Sequence, residues 1–182
     1  AICDGAFFRD QVIAVVGGGD AAVEEGMFLT KFGSKVYIIH RRDQLRAQKV
    51  IQQRAFANDK IEFIWDSVVE SVNGDDTKVN SVSLKNVKTG EKSTLDVGAV
   101  FVFIGFNPNS DITREALRKD QGGYILTDEK METSIKGIFA CGDVRSQLVR
   151  QITNAVGDGT TAAVAAEKYI EALHDKKAAR VN

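Results

Sequence analysis

The chain has 182 residues, 43% of them apolar and 27% charged, with a formal net charge of −1. That length and balance suit a soluble globular protein of one ordinary domain or two small, tightly joined ones. The near-neutral charge excludes the basic excess that a nucleic-acid or membrane-surface partner needs, and the longest glycine-free apolar run, Ala99 to Ile104, is far too short to span a membrane.

Ala1 to Arg9 has neither the basic start nor the apolar stretch of a signal peptide. Two cysteines, Cys3 and Cys141, cannot make a disulfide framework. A reducing cytoplasm is therefore the default compartment.

Val12 to Val16 is a continuous apolar run that stops at Gly17-Gly18-Gly19. A helix is predicted from Asp20 to Phe32, because Val23/Met27 and Phe28/Phe32 are spaced four apart and share faces. Gly33 then stands where a left-handed helix stop is expected. Val36 to Ile39 is a second apolar run. Val12 to Ile39 covers 28 residues, close to the ~30 of a βαβ unit with parallel strands.

Gly17-Gly18-Gly19-Asp20-Ala21-Ala22 fits G-x-G-x-x-A between a strand and a helix. Gly17 permits the tight turn, Gly19 lets backbone approach a pyrophosphate, and Ala22 lets helix and strand pack closely. The helix N-terminus offers free N–H groups to phosphates. After the second strand comes His40-Arg41-Arg42, with Arg41 22 residues beyond Gly19, and then Arg46. An NAD site wants an acidic residue near that place; guanidinium groups suit the extra phosphate of NADPH instead. The plainer alternative is a solvated basic helix start with Asp43 as its local counter-charge. His40 has only its position to recommend it.

A second helix is predicted from Asp43 to Phe56 with Asp43 as N-cap. Ile61, Phe63 and Trp65 give a mixed strand signal. Asn73-Gly74 and Thr89-Gly90 are turn signals between alternating segments around Val82/Leu84 and Leu95/Val97. These predict an antiparallel meander inserted in a parallel domain. Ala99 to Ile104 reads as a fully buried strand ending at Gly105.

Further on, Asp111 to Lys119 suggests a short helix, and Gly137 to Asp143 a short apolar strand ending in Gly-Asp. Arg150 to Leu173 is predicted to be mostly helical, interrupted or closely packed at Gly157 and Gly159. The tail from Asp175 is expected to fray. One strand and one apolar-striped helix cannot close a core alone. The strip Val156, Ala162, Ala166, Tyr169 and Ile170 is therefore expected to be exposed or covered by another chain.

Together these motifs resemble the C-terminal part of low-molecular-weight, bacterial-type thioredoxin reductase, in the pyridine nucleotide-disulfide oxidoreductase family. The matching pieces are Cys3-Asp4-Gly5-Ala6-Phe7-Phe8-Arg9, Val15 to Asp20, Ile39 to Asp43 with Arg46, Ile104-Gly105 with Pro108-Asn109, Gly142-Asp143-Val144, and Arg150-Gln151. The resemblance runs from Ala1 to about Leu173.

It implies an α/β fold: a Rossmann-like parallel sheet with an inserted meander, then the strand–helix piece of a second, FAD-type Rossmann-like domain. Residues 1–112 would be the NADPH-binding domain and 113–182 the incomplete end of the FAD-binding domain. It implies electron flow from NADPH to FAD, to a Cys-x-x-Cys pair, and on to thioredoxin or a similar small dithiol protein, in a homodimer. Cys3 would be the second cysteine of the pair and Asp4 its acid/base neighbour. Gly17, Gly18, Gly19, Asp20, Ala21, His40, Arg41, Arg42, Arg46, Ile104 and Gly105 would bind cofactor. So would Gly142, Asp143, Arg150, Gln151 and Ile152, on the FAD side. No metal is expected.

Some features depart from the family pattern. The first cysteine of the pair should precede Ala1, and the N-terminal FAD glycine motif is absent, so the chain reads as a fragment unable to complete the thiol–disulfide cycle alone. Ala21 replaces a small hydroxyl residue. Cys141, where a small residue is usual, is expected to be buried and redox-inert. A nonenzymatic NADPH-binding module, or a related ferredoxin–NADP or peroxiredoxin reductase, are the alternatives.

Overall fold

The computed structural model describes residues 1–113 and 116–178. The chain divides into two compact units, Ala1–Gly105 and Phe106–Asn182. Among the described residues no helix is long and apolar enough to cross a membrane.

The first unit is built on a four-stranded parallel sheet in the order β3-β2-β1-β7. Its strands are β1 (Val12–Gly17), β2 (Lys35–Ile39), β3 (Ile61–Ile64) and β7 (Ala99–Phe103). The apolar run of β1 is buried on both sides because its side chains alternate between two cores. Ile13 and Val15 join Ala22 and Leu29 of α1 (Asp20–Leu29) and Val36 and Ile38 of β2. Ala14 faces the other way, with Ile39, Val82, Leu84 and Val97. That second face is roofed by the antiparallel meander β4 (Ser67–Gly74), β5 (Val79–Asn86) and β6 (Lys92–Asp96), a separate three-stranded sheet. A third cluster, Val23, Leu45, Ala47, Ile51 and Ala55, seats α2 (Lys49–Phe56) beside α1.

Several local expectations are corrected. The first helix ends at Leu29, short of Phe32. Gly33 is not in the left-handed region. It is small because a Cβ would lie 2.9 Å from Ile13 Cδ1 and 3.1 Å from the Gln11 carbonyl. The second helix begins at Lys49, with Gln48 rather than Asp43 as N-cap. The preceding loop is held instead by the glycine turn, as described below. Asn73 and Gly74 still belong to β4, and the reversal falls at residues 75–78, closed by the Asp75 amide on the Lys78 carbonyl (3.0 Å). β7 is an edge strand, so only Ala99 is fully buried and Val102 is 52% exposed.

The second unit has short 3-10 turns at Asp111–Thr113 and Gly142–Val144 and one long helix, α3 (Ile152–Ala178). The helix expected over residues 111–119 is seen only as the first of these turns, and Arg114 and Glu115 lie outside the described residues. Residues 137–143 form no extended strand; Phe139 makes a single bridge to Glu132. Gly157 and Gly159 do not interrupt α3. The frayed tail expected from Asp175 is helical to Ala178, and its end lies outside the described residues. A small core of Leu117, Ile125 and Ala140 packs with Val144. Of the apolar strip, Val156 and Ile170 are exposed, whereas Ala162 is buried and Tyr169 packs edge-on to Phe139 at 6.2 Å. The strip is thus partly covered from within its own unit. Cys141 is exposed, contrary to expectation, because no strand neighbour covers it among the described residues.

Candidate functional site

The glycine turn joins β1 to α1 at the C-terminal edge of the parallel sheet, where open α/β sheets bind ligands. Its three glycines are small for three different reasons. Gly17 has φ +152°, and a Cβ there would lie 2.7 Å from Ala22 Cβ and against the Phe103 carbonyl. A Cβ on Gly18 would collide with the His40 imidazole, with Cγ at 2.7 Å and Nδ1 and Cε1 closer still. A Cβ on Gly19 would meet nothing within 4 Å, and its backbone is ordinary extended chain (φ −92°). No contact among the described residues requires a glycine there; the open space above its backbone is what an approaching pyrophosphate would need.

The loop from His40 to Gln48 is laced onto this turn. The Gly18 carbonyl accepts the amides of Arg46 (2.7 Å) and Ala47 (3.2 Å). Asp20 Oδ1 accepts the Gln48 amide (2.7 Å), and its Oδ2 accepts Gln48 Nε2 (3.2 Å). These bonds consume the amides that a helix from Asp43 would have used, so α2 starts late. They also give Asp20 a role in positioning the loop. On its other side the loop is tied to the meander, with the Ser67 amide on the His40 carbonyl (3.0 Å) and the Asp66 amide on the Arg42 carbonyl (3.3 Å).

A cleft of about 380 Å³ opens between these segments. Gly17, Gly18, His40, Arg41, Arg46 and Ile104 line it, with Ser67, Val68 and Val69 of β4 as a wall. Arg42, Gly19, Asp20, Ala21 and Gly105 lie along the same strand-end loops but outside the lining. The β4 wall was invisible in sequence, since nothing in Ser67-Val68-Val69 distinguishes it from any meander strand. Among the described residues, Arg41, Arg42 and Arg46 make no ion pair with a carboxylate. Cationic side chains left without counter-charge beside an open glycine turn suit an anion.

His40 is 5% exposed and its Nε2 has no hydrogen-bond partner among the described residues. Burial, chiefly, and the charges of Arg46, Arg42 and Arg41 push its pKa below the usual imidazole value of 6.5, against an opposing backbone hydrogen bond at Gln44. The unfolded chain therefore holds more protons than the folded one between the folded pKa and 6.5. The contribution of His40 to stability is full above pH 6.5, falls as the pH drops through that interval, and levels off below it. Urea midpoints at a series of pH values between 5 and 8 are expected to show this decline, and His40→Gln to flatten it. An unchanged slope in the variant would assign the decline to other groups.

Cys3 and Asp4 are exposed and precede the 3-10 turn Gly5–Phe8. Gly5 is buried, and a Cβ on it would lie 2.9 Å from Leu29 Cδ2. The cysteine segment is thereby anchored next to α1, with Cys3 itself exposed.

In the second unit, the Gly142-Asp143 turn is fastened to α3. The buried Asp158 carboxylate accepts the Gly142 amide and Arg145 Nη1, both at 3.2 Å. Gly142 has φ +73°, which explains its glycine. A second cleft of about 380 Å³ is lined by Tyr124, Asp143, Val144, Arg150 and residues 106–109. The Arg150 guanidinium stands 3.9 Å over the Tyr124 ring, and its buried Nε has no hydrogen-bond partner among the described residues. Gln151 and Ile152 are exposed at the start of α3.

Comparison with known proteins places these sites in context. Thioredoxin reductases of Listeria innocua and Bacillus subtilis are 49% and 47% identical to the chain over 96% of its length. The crystal structure of the Streptococcus pyogenes thioredoxin reductase matches with TM-score 0.88 and 55% identity, covering 94% of this chain and 56% of that one. The Giardia duodenalis enzyme matches at TM-score 0.80 and 39% identity, with the same coverage of 94% and 56%. The chain spans about half the length of the curated relatives it matches, 55% of each of the two named. Residues 5–159 fit the family model described as pyridine nucleotide-disulphide oxidoreductase. With most of its length in that match, and the glycine turn inside it, the chain belongs to the pyridine nucleotide-disulphide oxidoreductase family.

Proposed function

We propose that this chain carries the NADPH-binding part of an NADPH-dependent flavoprotein disulfide reductase of the thioredoxin reductase type. Residues 1–112 are the NADPH-binding domain, and residues 113–182 are the C-terminal part of an FAD-binding domain. The observation that carries the reading is the set of unneutralised guanidinium groups of Arg41, Arg42 and Arg46 beside the glycine turn. The open space over Gly19 and the orphaned His40 Nε2 fit a dinucleotide with an extra phosphate. The orphaned Arg150 Nε beside Asp143 likewise fits a polar group such as FAD.

When bound, NADPH supplies a hydride and FAD carries its two electrons toward a disulfide. The residues do the rest. Gly17, Gly18, Gly19 and Ala21 keep the turn narrow for the pyrophosphate, and Asp20 fixes the loop beside it. His40, Arg41, Arg42 and Arg46 hold the adenosine 2′-phosphate. Ile104, just past the end of β7, borders the cofactor cleft, and Gly105 adjoins it. Gly142, Asp143, Arg150, Gln151 and Ile152 hold the flavin side. Cys3 would act as one thiol of the redox pair and Asp4 would take and return its proton, so that the two electrons and one proton of a hydride, with one further proton from solvent, convert one disulfide into two thiols. Thioredoxin or a similar small dithiol protein is the acceptor, and the whole enzyme works as a cytoplasmic homodimer.

The test has two stages. Calorimetric titration of the chain is expected to show NADPH bound at least about tenfold more tightly than NADH; equal binding overturns the reading. The chain is then fused to the portion of the Bacillus subtilis relative that it does not cover. Flavin absorbance and NADPH-driven reduction of thioredoxin are expected. A fusion that binds NADPH but takes up no flavin would make the chain a nonenzymatic NADPH-binding module.

A further inference from the structure

Asp43 is the one carboxylate in the segment from His40 to Arg46, directly after the arginine pair. Left alone, it is the natural counter-ion for Arg41 or Arg42. It pairs with neither. Its Oδ2 lies 3.0 Å from Lys88 Nζ, 45 residues further along the chain. The same ammonium lies 3.0 Å from Asp66 Oδ2. Lys88 is presented by the turn between β5 and β6, where Asn86 Oδ1 accepts the amides of Lys88 (2.9 Å) and Thr89 (3.0 Å). Asp66 is equally fixed: its backbone has φ +51°, its amide bonds the Arg42 carbonyl, and its carbonyl accepts the Val87 amide at 2.6 Å. One ammonium therefore joins three segments: the arginine loop, the corner before β4, and the turn after β5. Lys88 lies outside the cleft lining and belongs to none of the motifs that mark the nucleotide site.

We propose that Lys88 is a positioning residue for cofactor selectivity, whose ammonium holds Asp43 against Asp66 and so keeps Arg41 and Arg42 open to the 2′-phosphate of NADPH. This rests on the NADPH reading above. The mechanism is charge allocation. A carboxylate beside the guanidinium pair would compete with the phosphate, which NADPH carries and NADH lacks. Removing the ammonium releases that competitor, and NADPH binding weakens while the phosphate-free cofactor is insulated. The pair is exposed and screened, so the effect is modest.

The experiment measures NADPH and NADH dissociation constants of the 182-residue chain. Lys88→Met is expected to lower the NADPH/NADH affinity ratio by about threefold to fivefold. Lys88→Arg is expected to keep the ratio, since it retains the cation. Adding Asp43→Asn to Lys88→Met is expected to restore it, because the released competitor is then neutral. Merely structural damage would not be repaired by that second change. A ratio unmoved by Lys88→Met overturns the proposal. So does failure of Asp43→Asn to restore it, which would assign Lys88 to the phosphate directly or to general packing. A parent chain that binds both cofactors equally overturns the NADPH reading itself, and this proposal with it; a parent that prefers NADPH but is indifferent to Lys88→Met overturns this proposal alone.

Discussion

Replacing Arg41 and Arg42 together with alanine is expected to cut the preference for NADPH over NADH by at least about tenfold. Both side chains are exposed, so each charge-assisted bond to the phosphate is worth less than its buried counterpart. Two such bonds still account for the tenfold figure. Neither arginine makes an ion pair with a carboxylate among the described residues, so removing them breaks no ion pair of the fold. The melting temperature should therefore hold while selectivity falls. Titration of both cofactors against the parent and the double variant checks this. A variant that keeps its NADPH preference would show that the phosphate is held elsewhere.

Two glycines only two residues apart are expected to respond oppositely to the same change. Gly17→Ala forces a side chain into a positive φ and drives its Cβ against Ala22 and the Phe103 carbonyl, both rigid parts of the core. A loss of about 3 kcal/mol in stability is expected, read from urea unfolding. Gly19→Ala meets no atom within 4 Å and needs no unusual backbone. Its stability should stay within about 1 kcal/mol of the parent, with the poorer N-cap and the stiffer unfolded chain nearly cancelling. Its NADPH affinity should nevertheless fall at least about tenfold, because the new methyl occupies the approach of the pyrophosphate. If Gly19→Ala binds NADPH like the parent, the phosphates do not pass over that residue.

The contrast shows how the site is organised. Gly17 and Gly18 are small for the protein, one for the β1–α1–β7 contact and one for His40. Gly19 meets no such neighbour among the described residues, and on the proposed reading it is small for the ligand. The sequence pattern treats all three alike, since spacing alone records only that side chains are missing. The same ambiguity surrounds Asp20. It sits in the motif, yet its carboxylate is engaged with Gln48.

What could be read along the chain was whatever depends on near neighbours. The β1 run, the four-residue spacing of α1 and the position of the arginines fall within the first 46 residues, and they suffice for a βαβ unit with a phosphate-binding turn. The alternating segments of the meander were legible for the same reason. Burial of β7, the late start of α2 and the exposure of Cys141 were not, because each depends on which strand or amide arrives from elsewhere. An edge strand has the same sequence as a central one until its second neighbour is counted. The residues 43–48 have helical spacing, but the Gly18 carbonyl and the Asp20 carboxylate compete for their amides and win. Charge allocation is the furthest of these from the sequence. Asp43 finds its counter-ion 45 residues away because the folded meander brings Lys88 to 3.0 Å, whereas its sequence neighbours Arg41 and Arg42 make no ion pair among the described residues. The order of residues determined that cations would gather beside a glycine turn; only the packing of the meander turn between β5 and β6 against the arginine loop decided which of them would keep a carboxylate partner.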